Sequence, residues 1–234
     1  APILAHRVRK AALAGAEVSF INGREHPYFF NVANSLSGEG LVAMLAGVAV
    51  AACGNSLPAA VAALCEGVTP GADHERIAAS LKNADTALVM LGNVAGRHRA
   101  MSAVRALAAA IAAATGATFG TLSEGPNSAG AALAGVLPHR GLGGVQRAEP
   151  GLHAGDMLDA ALDVLMLVNV DPDADLVSTD DAVSKIGAQN FTVALTPFVS
   201  DSLLDAADLL LPVGTFAESS GTYVNAAGTW QSFP

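Results

Sequence analysis

Aromatic side chains make up only 5% of this 234-residue sequence and charged ones 14%, with two Cys and one Trp. Each scarcity removes a class of protein. Cys53 and Cys65 show no CxxC spacing and lie in no Cys/His cluster. They cannot supply the three or four soft ligands of a zinc or iron–sulfur centre, and they read as buried free thiols of a reducing compartment. Long apolar runs are also missing. The uncharged stretch from Gly40 to Cys65 is broken by Gly54, Asn55, Ser56 and Pro58, and the one from Ala106 to Ser123 by Thr115 and Gly116. Neither reaches the roughly 20 residues that a membrane span requires. The basic residues of APILAHRVRK precede no continuous apolar segment, so the start is not a secretory leader, and without an initiator Met it reads as a cut end.

Positive charge is nearly absent from residues 148–234, which hold one Lys against 13 acids, whereas residues 1–147 hold 11 Lys and Arg against eight. The formal charge of −9 is therefore +3 beside −12. An acidic half offers no clustered cations for phosphate contacts, which argues against nucleic acid as a partner. It suits a solvated face or a dock for a basic partner. The charge step suggests sub-halves 1–150 and 151–234 within one α/β domain spanning 1–234.

What is abundant is Ala, within a hydrophobic fraction of 52% that is high enough to build a core. Ala-rich helices are predicted over 1–13, 40–53, 57–66, 70–82 and 98–114, the last stopped by Gly116. Strands are predicted over 16–21, 86–91, 117–122, 163–170, 191–196 and 208–213, with helices over 179–187 and 200–206. Residues 22–37 read as irregular and carry the aromatic cluster Tyr28, Phe29 and Phe30. Most of these strands lack inside/outside alternation and are separated by helices, as in a parallel sheet covered on both faces. The expected fold is a doubly wound, mostly parallel α/β sheet with helices on both faces. Ligands of such sheets sit at the carboxyl ends of the strands, here the loops at Gly92, Ser123, Asp171 and Thr196.

Most motifs at those loops fail on inspection. Gly125 to Gly130 has the GxxxxG layout of a phosphate loop, but Ala131 and Ala132 stand where Lys and Ser or Thr are needed. Backbone amides could still hold an anion there, with Gly125, Asn127 and Gly130 as contacts. The stretch Gly141 to Gln146 begins as GxG but ends in Gln and follows no strand, so it is no nicotinamide fingerprint. Asp171, Asp173 and Asp175 alternate as in a calcium loop, yet Leu176 and Ala182 occupy the positions of its Gly and Glu, which leaves a solvated turn. There is no GxSxG elbow for Ser200, Ser219 or Ser220. His26, His98 and His139 sit beside Pro, Arg or Gly as surface or capping residues. Arg97-His98-Arg99, just after Gly92 and Asn93, is the one basic cluster at a predicted strand end and the best candidate for an anion contact.

The stretch from Pro212 to Phe233, PVGTFAESSGTYVNAAGTWQSF, is more specific. It resembles a segment of the molybdopterin oxidoreductase superfamily through Leu211, Pro212, Glu218, Gly221, Thr222, Tyr223, Val224, Asn225, Gly228 and Gln231. Within that superfamily, APILAHRVRKAALAGAEVSFIN and EGPNSAGAALAG are most similar to the large iron–sulfur subunit of respiratory NADH:quinone oxidoreductase, complex I. The resemblance covers essentially the whole chain. It implies a C-terminal portion of that large subunit, lying in the peripheral arm on the cytoplasmic side of a bacterial inner membrane. Its partners would be the other peripheral-arm subunits, without nucleic acid and without direct membrane insertion.

The resemblance also implies iron–sulfur ligands in a region outside this chain, a lost molybdopterin cofactor, no bound cofactor or metal in this stretch and no catalytic residue of its own. The site residues would be a vestigial dinucleotide or anion site: Gly92, Asn93, Arg97, Gly125, Asn127 and Gly130. The alternative it implies is a domain that binds molybdopterin dinucleotide in an active enzyme of the formate dehydrogenase or nitrate reductase kind, with the same residues on the phosphates. A third reading, a free-standing nucleotide-binding enzyme, is weakened by each failed phosphate motif.

Overall fold

A computed structural model of the chain describes residues 2–38, 40–123, 125–176 and 179–234. Ala1 of the predicted first helix, Glu124 of the Gly-rich loop and residues 177–178 after the Asp-rich turn lie outside the described residues. The chain divides into two units, 1–124 and 125–234. The division falls at the Gly-rich loop rather than at 150/151. Charge follows solvation, whereas units follow packing, and the segment after residue 125 packs with the C-terminal hairpin.

In the first unit α1 (Pro2–Leu13) leads to β1 (Ser19–Asn22), which pairs in parallel with β2 (Asn34–Ser37). No helix joins this pair. Tyr28, in the connection, stacks on Phe20 with ring centroids 4.1 Å apart, and Asn22 Nδ2 donates to the Tyr28 hydroxyl at 3.0 Å. Strand β2 lies inside the stretch expected to be irregular. Its sequence NSLS is mostly polar, and it is held by the ladder, by Asn34 Nδ2 donating to Ser19 Oγ at 3.1 Å and by Leu36, its one apolar residue, packed against the core.

Helices α2 (Leu41–Cys53), α3 (Ala59–Cys65) and α4 (Ala72–Asn83) follow, then β3 (Leu88–Leu91), α5 (Asn93–Gly96), α6 (Met101–Thr115) and β4 (Thr118–Thr121). Helix α2 has no polar face because it is packed between α4 and α6, and its many Ala residues let the neighbours approach closely. Leu45, Val48, Ile77, Val104, Leu107 and Ile111 form the centre of this core. Helix α6 ends where Gly116 takes φ 72 and its N–H donates to the Ala112 carbonyl, a left-handed stop that other residues adopt at a cost. Strands β3 and β4 pair in parallel, Leu88 beside Thr118 and Leu91 beside Thr121.

The second unit contains α7 (Ser128–Leu133), α8 (Ala154–Asp159), β5 (Leu165–Val168), α9 (Pro172–Asp175), α10 (Thr179–Gly187), β6 (Thr192–Thr196), α11 (Asp201–Ala206) and β7 (Leu209–Pro212). Strands β5, β6 and β7 are parallel and lie side by side in chain order. Right-handed crossovers in a sheet that grows in one direction put their helices on one face. Accordingly Ile186 of α10 and Leu203 and Ala206 of α11 share one core with Leu165, Leu167 and Ala194. Thr192, fully buried at the start of β6, is satisfied on both sides: its N–H donates to Asp208 Oδ2 at 2.7 Å and its hydroxyl to the Ile186 carbonyl at 3.1 Å.

The unit closes with the antiparallel hairpin β8 (Gly221–Val224) and β9 (Trp230–Phe233). Its turn is built on Asn225, whose Oδ1 accepts the N–H groups of Ala227 and Thr229, both at 3.0 Å. The fold is α/β, as expected, with parallel strands that are joined through helices in every pair but β1–β2, and those strands are grouped in short sheets of two and three. Among the described residues no helix is long and apolar enough to cross a membrane.

Candidate functional site

The six residues proposed from sequence fall into two groups, one in each unit. In the first unit Gly92 precedes α5, Asn93 opens it and Arg97 closes it, with the Arg97 N–H donating to the Asn93 carbonyl at 3.2 Å. This helix is a single turn. The neighbouring His98 uses Nδ1 to accept the Ala100 N–H at 3.0 Å, so part of the basic cluster serves to shape the approach to α6.

In the second unit Gly125, Asn127 and Gly130 come together around α7. The Gly125 N–H donates to Ser128 Oγ at 3.2 Å, and that hydroxyl lies at the same distance from the Gly125 carbonyl. Asn127 sits at the N-cap position of α7, yet its side chain does not cap the helix. Its Oδ1 instead accepts the N–H of Val224 on β8 at 2.8 Å. A Cβ on Gly130 would overlap the Asn127 amide, so the small residue at 130 is what allows that side chain to lie across the helix. The two stretches that stood out in the sequence, GPNSAG and GTYVN, are thus bonded to each other. Nothing in the sequence marks Val224 as the partner, because the donor is a main-chain group.

A cavity of about 400 Å³ lies between α7 and the hairpin, lined by Ala132, Leu133, Leu137, Val224 and Ala226, with Arg140 at its side. The Arg140 guanidinium donates to the Gly144 carbonyl at 3.2 Å. A pyrophosphate needs converging amides or cations. Here the Gly125 amide and the Arg140 guanidinium have protein partners, Asn127 is turned to the hairpin, and the walls are apolar. Of the groups named for an anion at this loop, the Gly125 amide and the Asn127 side chain are engaged with the protein itself, so neither is presented to the dinucleotide phosphates of a molybdopterin cofactor.

Several other chemistry-bearing residues are engaged structurally. Burial pushes the Cys53 thiol up in pKa, an effect that the Lys82 charge partly offsets, and burial raises Cys65 in the same sense. Both therefore stay protonated near neutrality, which disfavours thiolate ligation. The Asp-rich turn is in part the one-turn helix α9. Asp171 accepts the Asp173 N–H at 3.0 Å as its N-cap, Asp175 accepts the Asp171 N–H at 2.8 Å, and Asp173 receives the Ser202 hydroxyl at 2.7 and 2.8 Å. Among the described residues no group of three or more His, Cys, Asp or Glu could hold a metal ion.

Glu218 organises the loop between β7 and β8. Its Oε2 accepts the Thr215 N–H at 2.8 Å and the Thr215 hydroxyl at 2.9 Å, and these bonds, the backbone one foremost, hold its carboxyl below the ordinary glutamate range. The T-x-x-E spacing that produces them is a capping-box pattern legible in the sequence. A depressed folded pKa gives a stabilisation that is complete above the unfolded value and lost as pH falls through the folded one. The Thr215 amide should therefore keep its protection until the solution is more acidic than ordinary glutamate titration requires, and Glu218→Gln should remove that pH dependence. Amide exchange followed by NMR between neutral and strongly acidic pH checks this.

Set beside known proteins, the chain is matched over residues 1–234 by the family described as Molybdopterin oxidoreductase. No curated protein matches it. Among solved structures it is similar to a chain of the formyltransferase/hydrolase complex (FhcABCD) from Methylorubrum extorquens, crystallised with methylofuran, at TM-score 0.56 and 16% identity. That similarity covers 94% of this chain and 60% of the other, and at such identity it speaks for the fold alone.

Proposed function

This chain belongs to the molybdopterin oxidoreductase family, and from that premise we propose that it is a structural and assembly domain in the peripheral arm of a respiratory NADH:quinone oxidoreductase. Electron transfer in this reading runs through iron–sulfur clusters held elsewhere in the same polypeptide, on the cytoplasmic side of a bacterial inner membrane. The observation that carries it is the bond from Val224 N–H to Asn127 Oδ1. In a dinucleotide-binding loop, that side chain and its neighbouring amides would face a ligand. Here the side chain fastens the Gly-rich loop to the hairpin and the Gly125 amide bonds to Ser128 within the loop, the use expected of a fold kept for its shape. The similarity of the opening segment and of EGPNSAGAALAG to the large iron–sulfur subunit supplies the particular complex.

Asn127→Ala in the intact large subunit separates this reading from the active-enzyme alternative. Losing the acceptor leaves the Val224 N–H without its partner, at a cost of about 1–3 kcal/mol. Less complex should assemble, by about threefold, while NADH:quinone turnover per assembled complex stays unchanged. The readouts are native gels of membranes and turnover normalised to flavin. Normal assembly with loss of turnover, together with stoichiometric guanine nucleotide released when the wild-type protein is denatured, would hand the chain to the alternative, a molybdopterin-dinucleotide-binding domain.

A further inference from the structure

His74 stands in the first turn of α4, where its ring closes the helix start and meets a neighbouring helix. Its Nδ1 accepts the Gly71 N–H at 3.0 Å. The other edge of the ring lies against α2, since a Cβ on Gly47 would come under 3.0 Å from its Cδ2 and Nε2. A main-chain N–H can only donate, so Nδ1 carries a lone pair and the ring proton sits on Nε2. Only the neutral imidazole makes this cap. A second proton turns the acceptor into a donor aimed at the Gly71 N–H, and it puts a positive charge at a helix N-terminus, where the macrodipole disfavours it. Both effects open the same end of α4.

The groups around the ring do not offset that charge. Helix α2 carries no charged residue, and its one titratable side chain is the Cys53 thiol at its C-terminal end. Strand β2 carries none, and α6, the other element packed on α4, carries only Arg105, which has the wrong sign. On α4 itself Asp73 is held by Arg76, and Lys82 donates to the Ala51 carbonyl at the far end. Glu75 follows His74 directly, and adjacent helical residues do not face each other. Glu66 precedes the helix by five residues from Gly71, and Glu17 receives the Ser80 hydroxyl further along it.

His153 shows what is missing. Its Nδ1 likewise accepts a main-chain N–H, that of Asp156 at 3.2 Å, but its Nε2 lies 3.1 Å from Asp156 Oδ2, so a proton there gains a carboxylate. Among the described residues no carboxylate is bonded to the His74 ring.

We propose that His74 is a pH-sensitive catch on the first unit: the neutral ring closes the start of α4 and seats that helix on Gly47 of α2, and the protonated ring lets the first turn open. The catch is closed above the imidazole range, about pH 6.5 in ordinary surroundings, and opens as pH falls through it. This goes beyond the assembly role and stands or falls apart from it.

The test is a titration of the full ¹⁵N-labelled chain by NMR from about pH 8 to about pH 5, across the imidazole range. At the upper end the ring spectrum of His74 should show a bare Nδ1 and a protonated Nε2. As the ring takes up its proton, the Gly71 amide should lose about fivefold in protection against exchange, corrected for the intrinsic rate, and the Gly47 amide should shift with the same midpoint. His74→Gln keeps an acceptor at the capping-box position that does not titrate in this range, so its Gly71 protection should stay level. A ring proton on Nδ1 at the upper end, level Gly71 protection in the parent chain, or a Gly47 amide that does not follow the ring would overturn the proposal. So would an equal loss in the Gln variant, which would assign the effect to the carboxylates nearby.

Discussion

Leu107→Ala should destabilise the first unit by about 4 kcal/mol, the largest effect expected of a single substitution here. Leu107 is fully buried on α6, within the core that α6 shares with α2 and α4. Deleting its isobutyl group removes transfer free energy and leaves a void. The neighbours that would have to fill it, Val48, Val104 and Ile111, are themselves 0–2% exposed and stand on helices with little room to collapse. Denaturant unfolding followed by amide exchange in α2 and α6 measures the loss. The comparison is Val136→Ala, at a site 71% exposed, which should stay within about 0.5 kcal/mol of the parent. A Leu107→Ala loss below about 1 kcal/mol would mean that this core is loosely packed.

Gly47→Val should cost about 3 kcal/mol, by overpacking rather than by a void. Gly47 lies mid-helix in α2, where a glycine ordinarily weakens the helix by about 1 kcal/mol relative to Ala. The reason for it is on α4: a Cβ at position 47 would come under 3.0 Å from three atoms of the His74 ring. That ring cannot move freely, because its Nδ1 accepts the Gly71 N–H at 3.0 Å and shapes the start of α4. A valine must therefore part the two helices or dislodge the cap. The same substitution in a His74→Ala background should lose most of its cost, and the double-mutant cycle isolates the contact. Equal costs in both backgrounds would place the effect elsewhere.

Both sites show which parts of the molecule are legible in its residues. The longer helices and the apolar strands β3, β5, β6 and β7 lie where short hydrophobic runs and Ala-rich segments put them, within a few residues. Strand β2 could not be found that way, since NSLS has a single apolar side chain, Leu36, and depends on its pairing with β1 and on the packing of that residue against the core. The short helices α5, α7, α8 and α9, of four to six residues, display no period and depend on caps and neighbours, whereas the equally short α11 lies where 200–206 is predicted to be helical. The runs LMLV and LLLP suggested strands covered on both faces; what they encode is two apolar faces, of which the unit's own helices cover one.

The candidate site divides in the same way. The Gly-rich loop is visible as composition, and the Glu218 turn as a spacing. The role of Asn127 is invisible, because amides of this kind serve equally at caps, turns and ligand sites. Only the fold reveals that it reaches β8.

The bond from Val224 to Asn127 joins residues 97 apart in the chain. Bringing together the ends of so long a loop costs about 4 kcal/mol in the length-dependent entropy alone. A single hydrogen bond returns about 1 kcal/mol net. The clamp therefore cannot nucleate anything, and it can close only after the intervening strands and helices have already collapsed and shortened the effective loop. Its place is at the end of folding, as a late lock that closes once the strands and helices described between residues 127 and 224 have formed.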